Sequence, residues 1–462
     1  NRFLRTPFAG NLIPESRLDP VMSKLAQGMY PSPTATTTAG TNFTATAPGR
    51  TTQNLFNLRA DQQLGPNDSI WFRFSRVVLP RLSVNPIGVA ENNDTWRAKN
   101  YGANWTHTFG AGAVLQMQFG RTTAASDATN NVTRTPGGVI SGLSPDYACG
   151  YPFDRPCMLP STGLVSFLGL PGDALTFQGS SDIWSGSVNI SKLYGKHLFN
   201  AGFNINTNNI DQSILAGSIS FSPFQTADLQ NPGRTGSDLA SFLLGVPVGG
   251  TRRLQVGGEN GGWVSGFHLG DRWKVSDRLT INFGVRVDRT LPPQWGVKSD
   301  KSAFVGSLNL NKGEFWLREM PPFCSEARKA PCIPGTALPD NVIIAPNNRI
   351  HQNRDFNIGP RFGFAYRLSN RTVIRSAAGI FYDNWAIWTQ AAQSYGAGWP
   401  QVTLLQTANQ NPDIPTVRAF NPLSSIGAGA LPAPTPFTSP QTYKDPFLKV
   451  PYTPEWNFGI QH

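Results

Sequence analysis

The chain has 462 residues, enough for two or three ordinary domains or for one large barrel. Only 15% of residues are charged, while Gly (46), Pro (38), Phe (29) and Trp (12) are abundant; this mix suits many strands and long loops and argues against a helical protein. The formal net charge is +11, but Lys and Arg are scattered without a basic tail or stripe, so nucleic acid is not an expected partner.

No apolar run approaches the ~20 residues of a transmembrane helix. A mean hydropathy of −0.26 is nevertheless compatible with a membrane barrel, whose strands hide apolar residues by alternating them with polar ones.

Residues 1–50 read as a loop and helix segment. Asp19 can N-cap a helix, Pro20 fits its first position and Gly28 can end it, with Val21, Met22, Leu25 and Met29 as an apolar stripe. Pro31 to Gly49 reads as loop. The first residues, Asn1-Arg2-Phe3-Leu4-Arg5, lack a hydrophobic leader, and the last residues lie inside an apparent strand; both ends read as cut, and the chain as a fragment.

Residues 51–462 then read as successive hairpins. In Asn54–Leu64, Phe56, Leu58, Ala60 and Leu64 alternate with Asn57, Arg59, Asp61 and Gln63. A Gly65-Pro66-Asn67-Asp68 turn leads to Ser69–Arg76, where Ile70, Phe72 and Phe74 oppose Trp71, Arg73 and Ser75. A long connection is expected from Val77 to Asp94. Trp96–Phe109 and Val114–Arg121 form the next pair, around Gly110-Ala111-Gly112. A loop from Thr122 to about Ser180 precedes a third hairpin with its turn near Tyr194-Gly195-Lys196-His197. A further loop from about Asn208 to Gly262 holds a short helix, capped by Ser237 and stopped by Gly245. The Gly-rich Gly257–Gly262 lacks the following helix and Lys of a phosphate-binding loop and reads as a loop tip.

The fourth hairpin is the cleanest. Trp263–Val275 turns at Ser276-Asp277-Arg278, and Leu279, Ile281, Phe283, Val285 and Val287 then alternate with Thr280, Asn282, Gly284, Arg286 and Asp288. A weaker strand is expected at Ser302–Leu310. In the fifth hairpin Phe362, Phe364, Tyr366 and Leu368 face away from Arg361, Gly363, Ala365 and Arg367; the return arm puts Ile374 and Ile380 opposite Arg375, Ala377 and Gly379. Trp456, Phe458 and Ile460 share one face of a last strand.

Each arm is roughly 10 residues, the length a tilted strand needs to cross a bilayer. One such hairpin would also suit a soluble β-sandwich. The asymmetry of short turns and long loops favours an all-β, antiparallel transmembrane barrel, with about eleven or twelve strands, short periplasmic turns and long extracellular loops. Phe, Leu, Ile and Val then face lipid and lipopolysaccharide, while Asn, Ser, Gly, Gln, Arg and Asp face a lumen. Trp96, Trp263, Trp273, Tyr194 and Tyr382 are expected in aromatic girdles.

No catalytic constellation is visible, so the protein is not expected to be an enzyme, and neither a cofactor nor a metal is expected. Arg59, Asp61, Arg73, Arg286, Asp288, Arg361 and Arg375 are the candidates for a ligand path; alternatively they pair with one another or with a plug. Cys149/Cys157 and Cys324/Cys332 are equally spaced pairs. Two local disulfides is the favoured reading and four free thiols the alternative.

Several stretches together resemble the barrel of Oar-like TonB-dependent receptors. They are Ile358-Gly359-Pro360-Arg361-Phe362-Gly363-Phe364-Ala365-Tyr366 with Thr372-Val373-Ile374-Arg375 and Gly379-Ile380-Phe381-Tyr382-Asp383; Gly10-Asn11-Leu12-Ile13-Pro14 with Arg17-Leu18-Asp19-Pro20; Asp238-Leu239-Ala240-Ser241-Phe242-Leu243-Leu244-Gly245; Asp271-Arg272-Trp273-Lys274-Val275; and Pro454-Glu455-Trp456-Asn457-Phe458. The resemblance implies a 22-stranded outer-membrane barrel, plugged by an N-terminal domain and preceded by a carboxypeptidase-regulatory-like domain. It also implies import of a large scarce ligand (siderophore, oligosaccharide or peptide) with energy from TonB. Neither plug nor TonB box is visible in these residues, so TonB would act through a region outside them. A passive barrel or a surface-adhesion protein is the alternative, and an extracellular enzyme on a β scaffold is the third reading.

Overall fold

The computed structural model describes residues 5–36, 42–143, 157–255, 260–291, 306–320, 322–323, 337–348, 352, 356–384, 402–406, 418–419 and 445–462. Most of them build one antiparallel sheet. β1 (Gly49–Thr51) and β2 (Asn54–Gln63) share one edge of β3 (Asp68–Val84), followed by β4 (Ala90–Phe109) and β5 (Ala113–Val132). The short β6 (Ser161–Gly163) pairs in parallel with the far end of β8 (His197–Ser220), which itself pairs with β7 (Ala174–Tyr194).

Next in the sheet come β9 (Gly249–Gln255) and β10 (Asn260–Lys274), which follow one another along the same edge of β8. β11 (Leu279–Leu291) continues the sheet. β12 (Gly306–Asn309), β13 (Glu314–Leu317) and β14 (Val342–Ile344) form a separate small sheet around Leu308, Phe315, Leu317 and Val342. β15 (Asn357–Arg367) and β16 (Val373–Tyr382) return to the main sheet, β17 (Val402–Gln406) pairs with β9, and β18 (Tyr452–Gln461) ends the chain. Among the described residues the main path runs β1-β3-β4-β5-β7-β8-β10-β11-β15-β16-β18, eleven positions, and its two edges do not pair with each other.

Register assigns every side chain to a face, because residues directly opposite on antiparallel strands point the same way. Leu58, Phe74 and Tyr101 stand in one row; Met117, Val188, Phe203 and Phe267 lie on the same face, and so do Phe283, Phe362 and Ala378. The result is an apolar belt across every strand. Many of its members are open to the surroundings: Phe362 is 54% exposed and Trp456 81%. A soluble monomer rarely shows a contiguous apolar patch beyond a few hundred Å², whereas a bilayer requires one. No helix among the described residues is long and apolar enough to cross a membrane.

Near the short turns this belt ends in two similar clusters. His107 Nδ1 lies 2.7 Å from Asp68 Oδ1, which also accepts a hydrogen bond from Trp105 Nε1 at 2.8 Å. His197 Nδ1 lies 2.6 Å from Asp271 Oδ2, its ring stacked 5.3 Å from Trp273. Trp273, Trp263, Tyr194 and Tyr382 share the apolar face, as a girdle requires. Trp96 does not: it stands opposite Leu79 and Ser126, on the face of Asn100 and Asn104.

The strands are longer than the alternating patterns indicate. The expected connection at 77–94 is strand on both sides of a tip at 85–89, and β5, β7 and β8 each extend well past the point where alternation stops. Asn260-Gly261-Gly262 is not a loop tip; it lies in β10, opposite Asn208, Asn209 and Ile210 of β8, while Gly257–Glu259 lies outside the described residues. The expected strand at Ser302–Leu310 is β12, in the small sheet; 302–305 lies outside the described residues.

At the long-loop end the chain folds a compact cap. α1 (Pro20–Met29) buries Val21, Met22, Leu25 and Met29 against Val139, Leu143, Leu159, Leu170, Phe221 and Phe242. Asp19 Oδ1 accepts from Val21 N and Met22 N, both at 2.9 Å, which satisfies two donors that a helix start leaves free. α1 runs one residue past Gly28, to a Tyr30 cap. α2 (Asp238–Leu243) is capped by Ser237 and stopped by Gly245, whose φ of +63° suits glycine. Asp19 N donates to Leu243 O at 2.8 Å, tying the two helices together.

Candidate functional site

The opposite face of the sheet is polar. Register puts Arg59, Asp61, Arg73, Arg286, Asp288, Arg361 and Arg375 all on it, together with Gln118, Ser185, Ser187, Asn189, Asn200, Asn204 and Asn206. Alternation alone dictates this: each residue sits one step from an apolar belt member.

The charges form two groups, separated by β4, β5, β7, β8 and β10. In the first, Arg59 forks onto Asp61, with Nε–Oδ2 at 2.8 Å and Nη2–Oδ1 at 2.6 Å, and its guanidinium lies 5.1 Å from the centre of the Trp71 ring. Arg73, directly opposite Arg59, donates to Asn100 Oδ1 at 3.0 Å. These side chains are exposed, so the Arg59–Asp61 pair adds little stability.

In the second group Arg286 Nε donates to Asp288 Oδ2 at 3.0 Å, and Arg286 Nη2 donates to Asn204 Oδ1 at 2.8 Å, reaching over β10. Nη2 is also 2.8 Å from Asp288 Oδ1, a charge contact outside hydrogen-bond geometry. Gly266 makes this bridge fit: a Cβ there would fall on Arg286 Nη2 and Asp288 Oδ1. Asp288 is 4% exposed, and its pairing with Arg286 offsets the cost of burying the charge. Arg361 lies 4.8 Å from the Phe381 ring centre. Arg286, Arg361, Arg272, His268 and Glu455 line one open depression of about 920 Å³. Arg375 is exposed on β16 and does not line it.

Of the cysteines, Cys157 is disulfide-bonded, and Cys149, Cys324 and Cys332 lie outside the described residues. Among the described residues no group of three or more His, Cys, Asp or Glu is placed to hold a metal ion.

The polar face also holds buried polar groups beyond those charge singled out, Asn208 and Asn357, beside Asp288. Asn208, Asp288 and Asn357 are buried with one polar side-chain atom each lacking a hydrogen-bond partner: Asn208 Oδ1, Asp288 Oδ1 and Asn357 Nδ2. The sequence signal for the first was the repeat Asn204, Asn206, Asn208 at two-residue spacing in β8, too regular for an ordinary polar face.

No curated protein matches the chain. Among solved structures, the copper transporter OprC is 9% identical with a TM-score of 0.38, covering 72% of this chain and 37% of its own. The outer membrane transporter YddB from Escherichia coli is 10% identical (TM-score 0.26, 71% of this chain, 46% of its own), and the translocator domain of autotransporter NalP from Neisseria meningitidis is 7% identical (TM-score 0.24, 72% and 75%). The chain thus spans less than half of the two transporters, and likeness at this level carries no functional argument. The family match does: the family described as "Outer membrane beta barrel domain" covers residues 1–462. With an apolar belt on one face and a polar wall on the other, the chain belongs to the outer membrane β-barrel domain family and resides in the bacterial outer membrane.

Proposed function

We propose that the chain is part of the barrel of an Oar-like TonB-dependent receptor, importing a large scarce ligand past its polar wall. The observation that supports this most is the wall itself. It is hydrogen-bonded, charged and continuous over the sheet, and the long-loop end carries a folded cap. The ordered motifs of the sequence agree with the reading. It entails a plug and a carboxypeptidase-regulatory-like domain ahead of these residues, and contact with TonB through that region.

The native protein purified from isolated outer membranes provides the test. Its intact mass should exceed that of these 462 residues by a plug-sized segment, and it should be captured by the periplasmic domain of TonB. A native protein that starts near Asn1 and ignores TonB would sink the importer. One observation favours a second reading, surface adhesion: Val165, Phe167 and Leu168 form an exposed apolar tip on the cap.

A further inference from the structure

We infer that the wall between β8 and β11 carries a subsite for a neutral, hydroxyl-rich ring, one sugar unit of a larger glycan. The inference deepens the importer reading and rests on it for the occupant to be a transported substrate.

A cavity of about 270 Å³ opens on the polar face, where Asn204, Asn206, Asn208 and Arg286 meet the apolar Ile183 and Val264, with Asp383 and Asn384 beside them. Asn208 is 7% exposed, lines this cavity, and has no donor for its Oδ1. Asp288 and Asn357 stand opposite one another in the row of Asn204; Asp288 Oδ1 is ion-paired with Arg286 Nη2, and Asn357 Nδ2 adds an unpartnered donor. The floor is prearranged: Arg286 is held by Asp288 and Asn204, and Thr290 Oγ1 donates to Asn384 Oδ1 at 2.5 Å. Buried polar atoms without partners are costly, so an occupant that supplies both donors and acceptors is favoured.

Charge narrows the class. The Arg286 guanidinium is already neutralised by Asp288, so the cavity offers an anion no net positive charge. A peptide backbone would seek unpaired strand backbone, but β8, β10 and β11 already pair with their neighbours here. Side-chain amides remain. Asn204, Asn206 and Asn208 repeat every second residue, roughly 7 Å apart. That spacing is long enough to span a sugar ring, whose hydroxyls each donate and accept.

The experiment is saturation-transfer NMR on the protein purified from outer membranes. The probes are glucose, galactose, mannose, xylose and N-acetylglucosamine at millimolar concentration, with trialanine and ferric citrate as contrasts. At least one sugar should receive saturation, and Asn208→Ala should weaken it roughly tenfold, the loss of about one buried hydrogen bond. Gln116→Ala, on the same face near the short turn, should leave it unchanged. If the alanine variant fails to assemble, the isosteric Asn208→Asp takes its place and should also weaken binding. Saturation of no sugar, binding indifferent to both Asn208 variants, or Asn208-dependent binding of trialanine or ferric citrate instead would overturn the subsite. Sugar binding without capture by TonB would keep the subsite and sink the importer; capture without sugar binding would do the reverse.

Discussion

Asp238 shows how one buried carboxylate can hold a loop. Burial works against its charge, but Ser166 N, Ser166 Oγ, Phe167 N and Leu239 N all donate to it, at 2.5, 2.8, 3.1 and 2.9 Å, and together they hold its carboxyl below the usual range. A carboxylate with a lowered folded pKa contributes stability above its unfolded value, ~3.9, and loses it as pH falls through the folded value. The cap should therefore stay anchored at neutral pH and loosen only below about pH 4. Asp238→Asn keeps the shape but weakens the acceptors; it should cost the cap about 1–3 kcal/mol and remove that acid transition. Proteolysis of the 164–169 segment as a function of pH reads both effects. Tyr30, pushed upward first by burial and then by the Asp238 charge, stays a protonated donor to Leu168 O throughout. On the wall, Gly266→Ala should break the Arg286–Asn204 bridge, because its methyl needs the space of the guanidinium. A loss of about 1–3 kcal/mol, seen as earlier heat-induced unfolding in gel mobility, is expected.

The helices and the strands were legible to different depths. Both helices announced themselves through local chemistry: a capping side chain before, a stripe or stop after, and burial that matches the stripe. Strand pairing was legible wherever lipid lies on one side, because only there do apolar and polar residues alternate. Residues 122–132, 174–182 and 208–220 extend the strands beyond that zone, where polar residues suffice on both faces and the period of two disappears. For the same reason Asn260-Gly261-Gly262, a stretch without apolar residues, looked like a loop. The lumen charges were legible from alternation, but not their partners: the Arg286–Asn204 bridge joins residues 82 apart and needs the register of β8, β10 and β11. At this scale the cap should behave as its own unit. Asp19→Ala removes two capping bonds and should cost about 1 kcal/mol, and Leu25→Ala, at a fully buried site, about 2–5 kcal/mol. Hydrogen exchange should rise across residues 20–29 and 238–243 while the β3–β5 backbone stays protected; exchange that rises everywhere would show that cap and sheet unfold together.

For the whole molecule, the decisive property is sidedness, and adjacent residues can test it without changing position along the strand. Val188 and Ser187 are neighbours in β7. Val188 stands beside Met117 and Phe203 in the apolar belt, whereas Ser187 stands beside Gln118 and Asn204 on the wall. A charge placed toward hydrocarbon must be dehydrated or must drag water inward, which costs about 2–4 kcal/mol near the bilayer centre. A charge placed toward the wall meets hydroxyls, amides and water, and its cost is mainly steric. Val188→Arg should therefore lower folding into lipid vesicles by that amount, while Ser187→Arg should change it little. Urea titration of both variants in vesicles gives the difference directly. Equal costs would mean that both faces meet the same medium, and a larger cost for Ser187→Arg would mean that the lipid and lumen faces are reversed. In a barrel wall, one step along the chain is one full change of solvent, so the two substitutions must differ.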